Sequence, residues 1–185
     1  MPGHHLQGAS IAALLFAAPL GAHAADDAPT VDDLIVTGTR DMGGVEADKI
    51  GSSVTVVTAQ DFKDRQVRIV SDVLRDVPGV AVSRNGAVGN QTQVRVRGTE
   101  GNHVLTLIDG IKASDPFFGE FDFGTLLADD VARIEVLRGQ QSAIYGSDAI
   151  GGVINYITPT GRQSSGASVR AEGGSMGTYD GAARV

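Results

Sequence analysis

Residues 104–110 read VLTLIDG, residues 132–139 read ARIEVLRG, and residues 142–158 read SAIYGSDAIGGVINYIT. Val104 to Ile108 is a nearly unbroken apolar run, the pattern of a strand covered on both faces of its sheet. Asp109-Gly110 is a strong two-residue hairpin signal, because the favoured turn needs positive φ at its central positions. Ile111, Lys112 and Ala113 are therefore expected to run back beside the strand. Ile134 to Leu137 and Val153 to Thr158 supply two further strands. Working outward, Val94-Arg95-Val96-Arg97 alternates apolar and cationic side chains on opposite faces, and Gly98 ends it. Val54 to Thr58 reads as a buried strand that leads into a helix over Ala59 to Gln66, with Thr58 as its N-cap. Ser71 is placed to cap a second helix with Val73, Leu74 and Val77 on one face, and Pro78-Gly79 to stop it. Val80 to Val82 follows as a strand, residues 84–92 (RNGAVGNQT) as a polar loop, and Leu126 to Ala132 as a short helix. Short strands and short helices in this mixture define a small α/β domain that begins near residue 45.

Around this domain the chain changes character three times. Residues 11–20, IAALLFAAPL, form an apolar run too short for a spanning helix, and Ala22-His23-Ala24 offers small residues on either side of a cleavage point before Ala25. Residues 1–24 are thus expected to be a signal peptide. Residues 25–44 are acidic and Gly-containing and read as a flexible arm. Inside it, Asp33 to Thr39 is an isolated β-prone patch, which fits either an edge strand lent to a partner's sheet or an ordinary first strand of the domain. Residues 166–185 alternate around a turn at residues 175–178 and suit two strands of an antiparallel hairpin.

Composition excludes several chemistries. With Lys+Arg 15 against Asp+Glu 22 the net charge is −7, the wrong sign for a nucleic-acid binder. There is no Cys, hence no disulfide, thiolate metal site or cysteine nucleophile. Three of the four His lie at positions 4, 5 and 23, so His103 is the one imidazole beyond the leader, and a His-based catalytic centre cannot be built. The acidic pairs Asp32-Asp33 and Asp129-Asp130 lack the spaced oxygen ligands of a calcium loop. Gly146, Gly151 and Gly152 permit unusual backbone but lack the Lys and hydroxyl of a phosphate loop. The chain is read as a non-enzyme, with no metal site and no cofactor.

The ordered motifs VRVRG (residues 94–98), VLTLIDG (residues 104–110), ARIEVLRG (residues 132–139) and SAIYGSDAIGGVINYIT (residues 142–158) resemble those of the plug domain of TonB-dependent outer-membrane receptors. The resemblance extends over residues 33–165, and YGSDAIGGV together with the Ser71 to Val80 segment looks closest to the cobalamin-receptor branch. It implies a plug at residues 45–165 with a mixed four-stranded sheet and short helices, preceded by a TonB box at residues 33–39. Residues 166–185 would then begin a 22-stranded antiparallel transmembrane β-barrel. At about ten residues per strand such a barrel needs roughly 220 residues, and this chain has room for two strands. It is therefore expected to be a fragment that transports nothing by itself, or a stand-alone periplasmic plug-like binding module.

The same resemblance assigns roles. Leu34, Ile35, Val36 and Thr37 would meet the TonB C-terminal domain. Arg97 and Arg138, each followed by Gly, match plug arginines that pair with glutamates of the barrel wall. Ligand contacts are sought in outward loops, at Arg84, Asn85, Asn90 and Gln91 and in the aromatic loop with Asp115, Phe117 and Phe118. Amides there can donate and accept, and Phe rings offer a flat apolar surface to a corrin, haem or catecholate ligand, although the rings could instead wedge the loop against the barrel wall. The implied partners are TonB, a small-molecule nutrient such as cobalamin or a ferric siderophore, and the outer membrane through the barrel. No nucleic acid is among them. The full-length receptor would sit in the Gram-negative outer membrane, and this chain alone would be an exported, periplasmic species.

Overall fold

Asp109 and Gly110 both take positive φ, 51° and 79°, in the computed structural model. This turn folds strand β7 (Ile111–Lys112) onto β6 (Val104–Ile108), pairing Ile108 with Ile111 and Leu107 with Lys112. The structure describes residues 35–36, 45–46, 51–161, 166–177 and 179–184. The expected leader (residues 1–24) lies outside them, as do Leu34 and Thr37.

The main sheet also contains β3 (Ser53–Thr58), β8 (Arg133–Arg138) and β9 (Gly152–Ile157), in the order β3-β8-β9-β6-β7. The β6–β9 pair is parallel and the other pairs are antiparallel, so the sheet is mixed as expected. It has five strands where four were expected, because the two residues of β7 satisfy the backbone edge that β6 would otherwise leave open. Val104, Leu105, Thr106 and Leu107 are all buried, as a strand covered on two sides requires.

One face packs under two helices and a hairpin. Helix α1 (Ala59–Arg65) starts with a capping box: the Asp61 N–H donates to the Thr58 hydroxyl, and the Asp61 carboxylate accepts the Thr58 N–H at 2.7 Å. Helix α2 (Val70–Leu74) departs from expectation at both ends. Its N-cap is Ile69, with no side-chain cap, and Ser71 lies buried inside the helix. No hydroxyl is needed, since the Val70 N–H donates to the Leu126 carbonyl at 3.0 Å. The helix stops at Leu74, ahead of Pro78, where the Asp76 and Val77 N–H groups donate three residues back instead of four. Residues 126–132 are not helical. Leu127 bridges Ile69 and the Ala128 N–H donates to the Arg68 carbonyl, so the α1–α2 linker takes backbone groups that a helix would use, and the chain turns at Asp129-Asp130.

Strands β4 (Val80–Arg84) and β5 (Thr92–Val96) form an antiparallel hairpin in which Val94 and Val96 are buried and Gln93 and Arg95 face outward. Arg84 pairs with Thr92, which shortens the expected loop to residues 85–91. Phe62, Val70, Val73, Leu74, Val94 and Val96 close this side against Ile134, Val136, Ile154 and Tyr156. The opposite face, with Leu105, Leu107, Leu137 and Val153, is covered by the segment that carries α3 (Ser142–Tyr145) and Ala149. Gly152 is required there: a β-carbon would stand 2.4 Å from the Leu137 carbonyl oxygen across the β8–β9 pair.

Two smaller sheets are not hydrogen-bonded to the main one. β1 (Ile35–Val36) pairs with β2 (Val45–Glu46), and β10 (Ser168–Gly173) pairs with β11 (Tyr179–Arg184), both antiparallel. Among the described residues no helix is long and apolar enough to cross a membrane.

Candidate functional site

The two arginines that precede glycine come together at the Pro78-Gly79 turn. Arg97 leaves β5 with φ 53° and Gly98 follows at 78°. The Arg97 N–H donates to the Gly79 carbonyl at 2.7 Å. Arg138 ends β8, and its guanidinium donates to the Pro78 carbonyl at 2.7 Å and to Thr55 Oγ1 at 2.9 Å. The Arg97 guanidinium lies over Gly139, where a β-carbon would meet Nη1 at 2.9 Å. Gly79 sits between the two side chains, with its β-carbon position 3.8 Å from Arg97 Cγ and 3.9 Å from Arg138 Cδ. Gly139 thus makes room for the Arg97 guanidinium, whereas a β-carbon on Gly98 would meet nothing within 4 Å, and Gly98 serves by its positive φ. Among the described residues no carboxylate pairs with Arg97 or Arg138.

At the other end of the β4–β5 hairpin, about one strand length or 13 Å away, two loops are knit into a platform. The Asn85 N–H donates to the Gln91 carbonyl at 3.0 Å and closes the first loop. The Asn90 carbonyl accepts Thr92 Oγ1 and occupies the place a β-carbon on Gly124 would take, 2.3 Å away. The Thr92 N–H donates to Asp122 at 2.8 Å, and the Phe123 N–H donates back to the Thr92 carbonyl at 2.9 Å. Asn85, Asn90 and Gln91 are exposed on this platform. Arg84 is placed differently. Its side chain is 14% exposed and donates to Asp72 at 2.7 Å and Ser71 Oγ at 3.1 Å, which ties β4 to α2.

The aromatic loop divides its four rings. Phe123 is buried in the core, with Phe121 edge-on to it at 4.8 Å between centroids. Phe117 and Phe118 are 88% and 71% exposed and meet edge to face at 5.2 Å. Asp115 shapes this presentation: its Oδ1 accepts the N–H groups of Phe117 and Phe118 at 2.8 and 2.7 Å, and its backbone bonds Gly119 and Glu120. Beside Phe118 runs an open groove of about 650 Å³ lined by Gln93, Arg95, Glu100, Asn102 and Glu120. The Gln93 amide donates to Glu120 at 2.9 Å, and Arg95 donates to Gln93 Oε1 at 3.1 Å. These five polar residues are absent from the sequence-derived candidates. The alternation of β5 marks Gln93 and Arg95 as outward-facing, but nothing local connects them to Glu120.

The arm patch is represented by Ile35 and Val36, paired with Glu46 and Val45 and outside the five-stranded sheet. His103 lies in a short 3-10 turn, where its carbonyl accepts the Gly151 N–H at 2.9 Å. Among the described residues no three His, Asp or Glu groups gather where a metal ion could be held. Two pKa shifts have structural causes. Burial, reinforced by Asp130, Asp109 and Asp129, pushes the Tyr156 hydroxyl up to about 12 while it donates to the Leu127 carbonyl. The hydrogen bond from Lys112, which joins β7 to the α3 segment, and a second from Ser147 hold Asp148 below its usual value. Glu135 is fully buried in β8 and accepts from Arg133 Nε at 2.9 Å and from the Asn155 amide at 3.4 Å.

Residues 46–153 match the family model of the TonB-dependent receptor plug domain. The vitamin B12 transporter BtuB of Photobacterium profundum is 38% identical over 161 residues, which covers 87% of this chain and 26% of that protein. The vitamin B12 transporter BtuB of Vibrio cholerae is 36% identical over 152 residues, covering 82% and 24%. The crystal structure of the ferric yersiniabactin uptake receptor FyuA of Yersinia pestis superposes with a TM-score of 0.54 at 27% identity, over 73% of this chain and 21% of that one. This chain spans about a quarter of the length of the B12 transporters it matches.

Proposed function

The chain belongs to the TonB-dependent receptor plug domain family, and from that premise we propose that it supplies the plug of an outer-membrane receptor that captures a scarce small-molecule nutrient for TonB-driven uptake. Residues 1–24 direct export, residues 25–44 form the arm, residues 45–165 the plug, and residues 166–185 start the barrel wall. Similarity to two vitamin B12 transporters makes cobalamin the first ligand to test, with ferric siderophores second.

The observation that carries the ligand reading is the division of the aromatic loop. Exposing two Phe rings forgoes the burial that Phe121 and Phe123 achieve, and the Asp115 turn holds them out beside amides and charges. An apolar surface next to convergent polar groups suits a large amphipathic ring system such as a corrin. In this reading Phe117, Phe118, Asn85, Asn90 and Gln91 touch the ligand, Asp115 shapes the turn, and Arg84 braces the loop through Asp72.

At the opposite end of the hairpin, Arg97 and Arg138 present a positive pair with no carboxylate partner among the described residues. They face glutamates of the barrel wall, where desolvated charge pairs lose several kcal/mol if one partner is removed. The patch Leu34 to Thr37 adds to the TonB sheet as a strand, exchanging its partner Val45–Glu46 for TonB backbone.

The test uses the full receptor carrying this plug, titrated with cyanocobalamin and with ferric enterobactin. Cyanocobalamin binding that falls by about 1 to 3 kcal/mol in the Phe117→Ala/Phe118→Ala variant is expected. Affinities for both ligands unchanged in that variant, with the fold intact, would remove the aromatic loop from the binding site.

A further inference from the structure

The β10–β11 hairpin has two unlike rows. The register pairs Glu172 with Asp180, Arg170 with Ala182, Val169 with Ala183, Ala171 with Gly181 and Gly173 with Tyr179. Residues that alternate along a strand share a face with their cross-strand partners. One row therefore carries Arg170, Glu172 and Asp180, and the other carries Val169, Ala171, Tyr179 and Ala183. Val169 and Tyr179 are 84% and 85% exposed. The charged row lies against the plug. Arg170 reaches Asp129 at 2.7 Å, Asp180 at 3.2 Å and Glu172 at 3.3 Å. Arg68 pairs with Glu172 and stands 3.5 Å from Asp180.

The plug half of this cluster is preformed. Arg68 lies in the α1–α2 linker and Asp129 in the turn that follows the segment bonded to it, the Ala128 N–H donating to the Arg68 carbonyl at 2.9 Å. Packing does not explain the contact, because a crevice of about 290 Å³ separates Ala59, Phe62 and Val131 of the plug from Arg170 and Glu172 of the hairpin. Charge is what spans it. We propose that Arg68, Asp129, Arg170, Glu172 and Asp180 form an ionic clasp by which the plug seats the β10–β11 hairpin, charged row inward, so that Val169, Ala171, Tyr179 and Ala183 face an apolar phase.

A two-faced strand with period two is what a barrel wall offers to acyl chains on one side and to its filling on the other. Only the identity of that phase, lipid, rests on the reading of these strands as the start of a barrel. The clasp is a property of this chain. It orients the hairpin before neighbouring strands exist, a step that a two-stranded ribbon, marginal by itself, needs help to make.

The chain has no Cys, so Gly173→Cys, on open backbone in the crevice it shares with Arg68, takes a single nitroxide label. In the full 185-residue chain in detergent micelles, the label should broaden the amides of residues 63–68. In the Arg68→Gln/Arg170→Gln background, or at 1 M salt where the screening length falls to about 3 Å, that broadening should vanish while the Val104 to Ile108 amides stay protected. Broadening that persists in the double variant, or is missing in the parent chain, overturns the clasp. Adding a doxyl-labelled fatty acid to the parent micelles should broaden Val169 and Tyr179 and spare Arg170 and Glu172. Equal broadening of both rows overturns the outward assignment and the barrel reading with it, whatever the first experiment shows.

Discussion

Arg138→Ala and Arg97→Gly should act on the stability of this chain with different sign, although sequence reasoning gives both arginines one role. Arg138 makes two charge-assisted hydrogen bonds inside the plug, to the Pro78 carbonyl and to Thr55 Oγ1. Bonds to charged groups contribute about 1.5 to 3 kcal/mol each when well buried. The Pro78 end is exposed to water and is worth little, whereas the Thr55 end is partly buried, so truncation should cost about 1 to 2 kcal/mol. Among the described residues Arg97 makes no such bond, and it holds φ at 53°. A left-handed conformation costs an ordinary residue roughly 1 to 2 kcal/mol, which glycine avoids at an entropic cost of about 0.5 to 1 kcal/mol. Arg97→Gly should therefore be neutral or slightly stabilising. With a urea m-value of about 1 to 3 kcal/mol/M for a small domain, the midpoint followed by circular dichroism should fall by roughly 0.5 to 1 M for Arg138→Ala and hold or rise for Arg97→Gly. Equal losses in the two variants would refute the division of labour. In the full receptor both substitutions should loosen the plug on the proposed placement of both cations against the wall.

In the arm, Ile35→Pro removes a backbone donor from the strand proposed to meet TonB, so uptake by the full receptor should be abolished with ligand affinity unchanged; wild-type uptake in that variant would dismiss the assignment. Tyr156 supplies a pH test. Its hydroxyl is neutral in the fold with a pKa of about 12 against an ordinary value near 10. A raised folded pKa gives stability that is complete below pH 10 and is lost as pH rises towards 12, at most about 2 to 3 kcal/mol. Tyr156→Phe should be less stable than the parent at pH 8, for want of the bond to Leu127, and should close that gap by pH 11; a gap independent of pH would contradict the burial argument. Gly124→Ala should push the Asn90 carbonyl off the aromatic loop at a cost of about 1 to 3 kcal/mol, read as faster hydrogen exchange at Asn85 and Phe123.

What the sequence disclosed was local. The Asp109-Gly110 turn, the Thr58 N-cap and the alternation of Val94 to Val96 are each fixed within a few residues, and each is present in the structure, whereas Arg97 leaves the strand with φ 53°. The misread elements were settled by distant backbone. Ser71 reads as a cap and residues 126–132 as a helix, and one distant bond overrides both: the Leu126 carbonyl accepts the Val70 N–H, which removes the need for a capping hydroxyl and takes an acceptor that a helix would use. Short polar-apolar windows do not encode a bond that spans 56 residues, Val70 to Leu126. The candidate site divides along the same line. Asn85, Asn90, Gln91, Phe117 and Phe118 were legible as loop residues of useful chemistry, but the groove through Gln93, Arg95, Glu100, Asn102 and Glu120 exists only because two loops meet.

This contrast also explains why the two RG pairs were legible while their geometry was not. A glycine after an arginine reads as a turn, yet Gly139 serves an arginine 42 residues earlier, by lying under the Arg97 guanidinium, and Gly79 separates the Arg97 and Arg138 side chains. The two motifs are two halves of one cationic surface that forms only when β5 and β8 end side by side. Each half is held by backbone, Arg97 through its N–H to the Gly79 carbonyl and Arg138 through its guanidinium to the Pro78 carbonyl. One turn thus fixes both charges, and a plug built this way keeps the two cations in register without help from any partner surface.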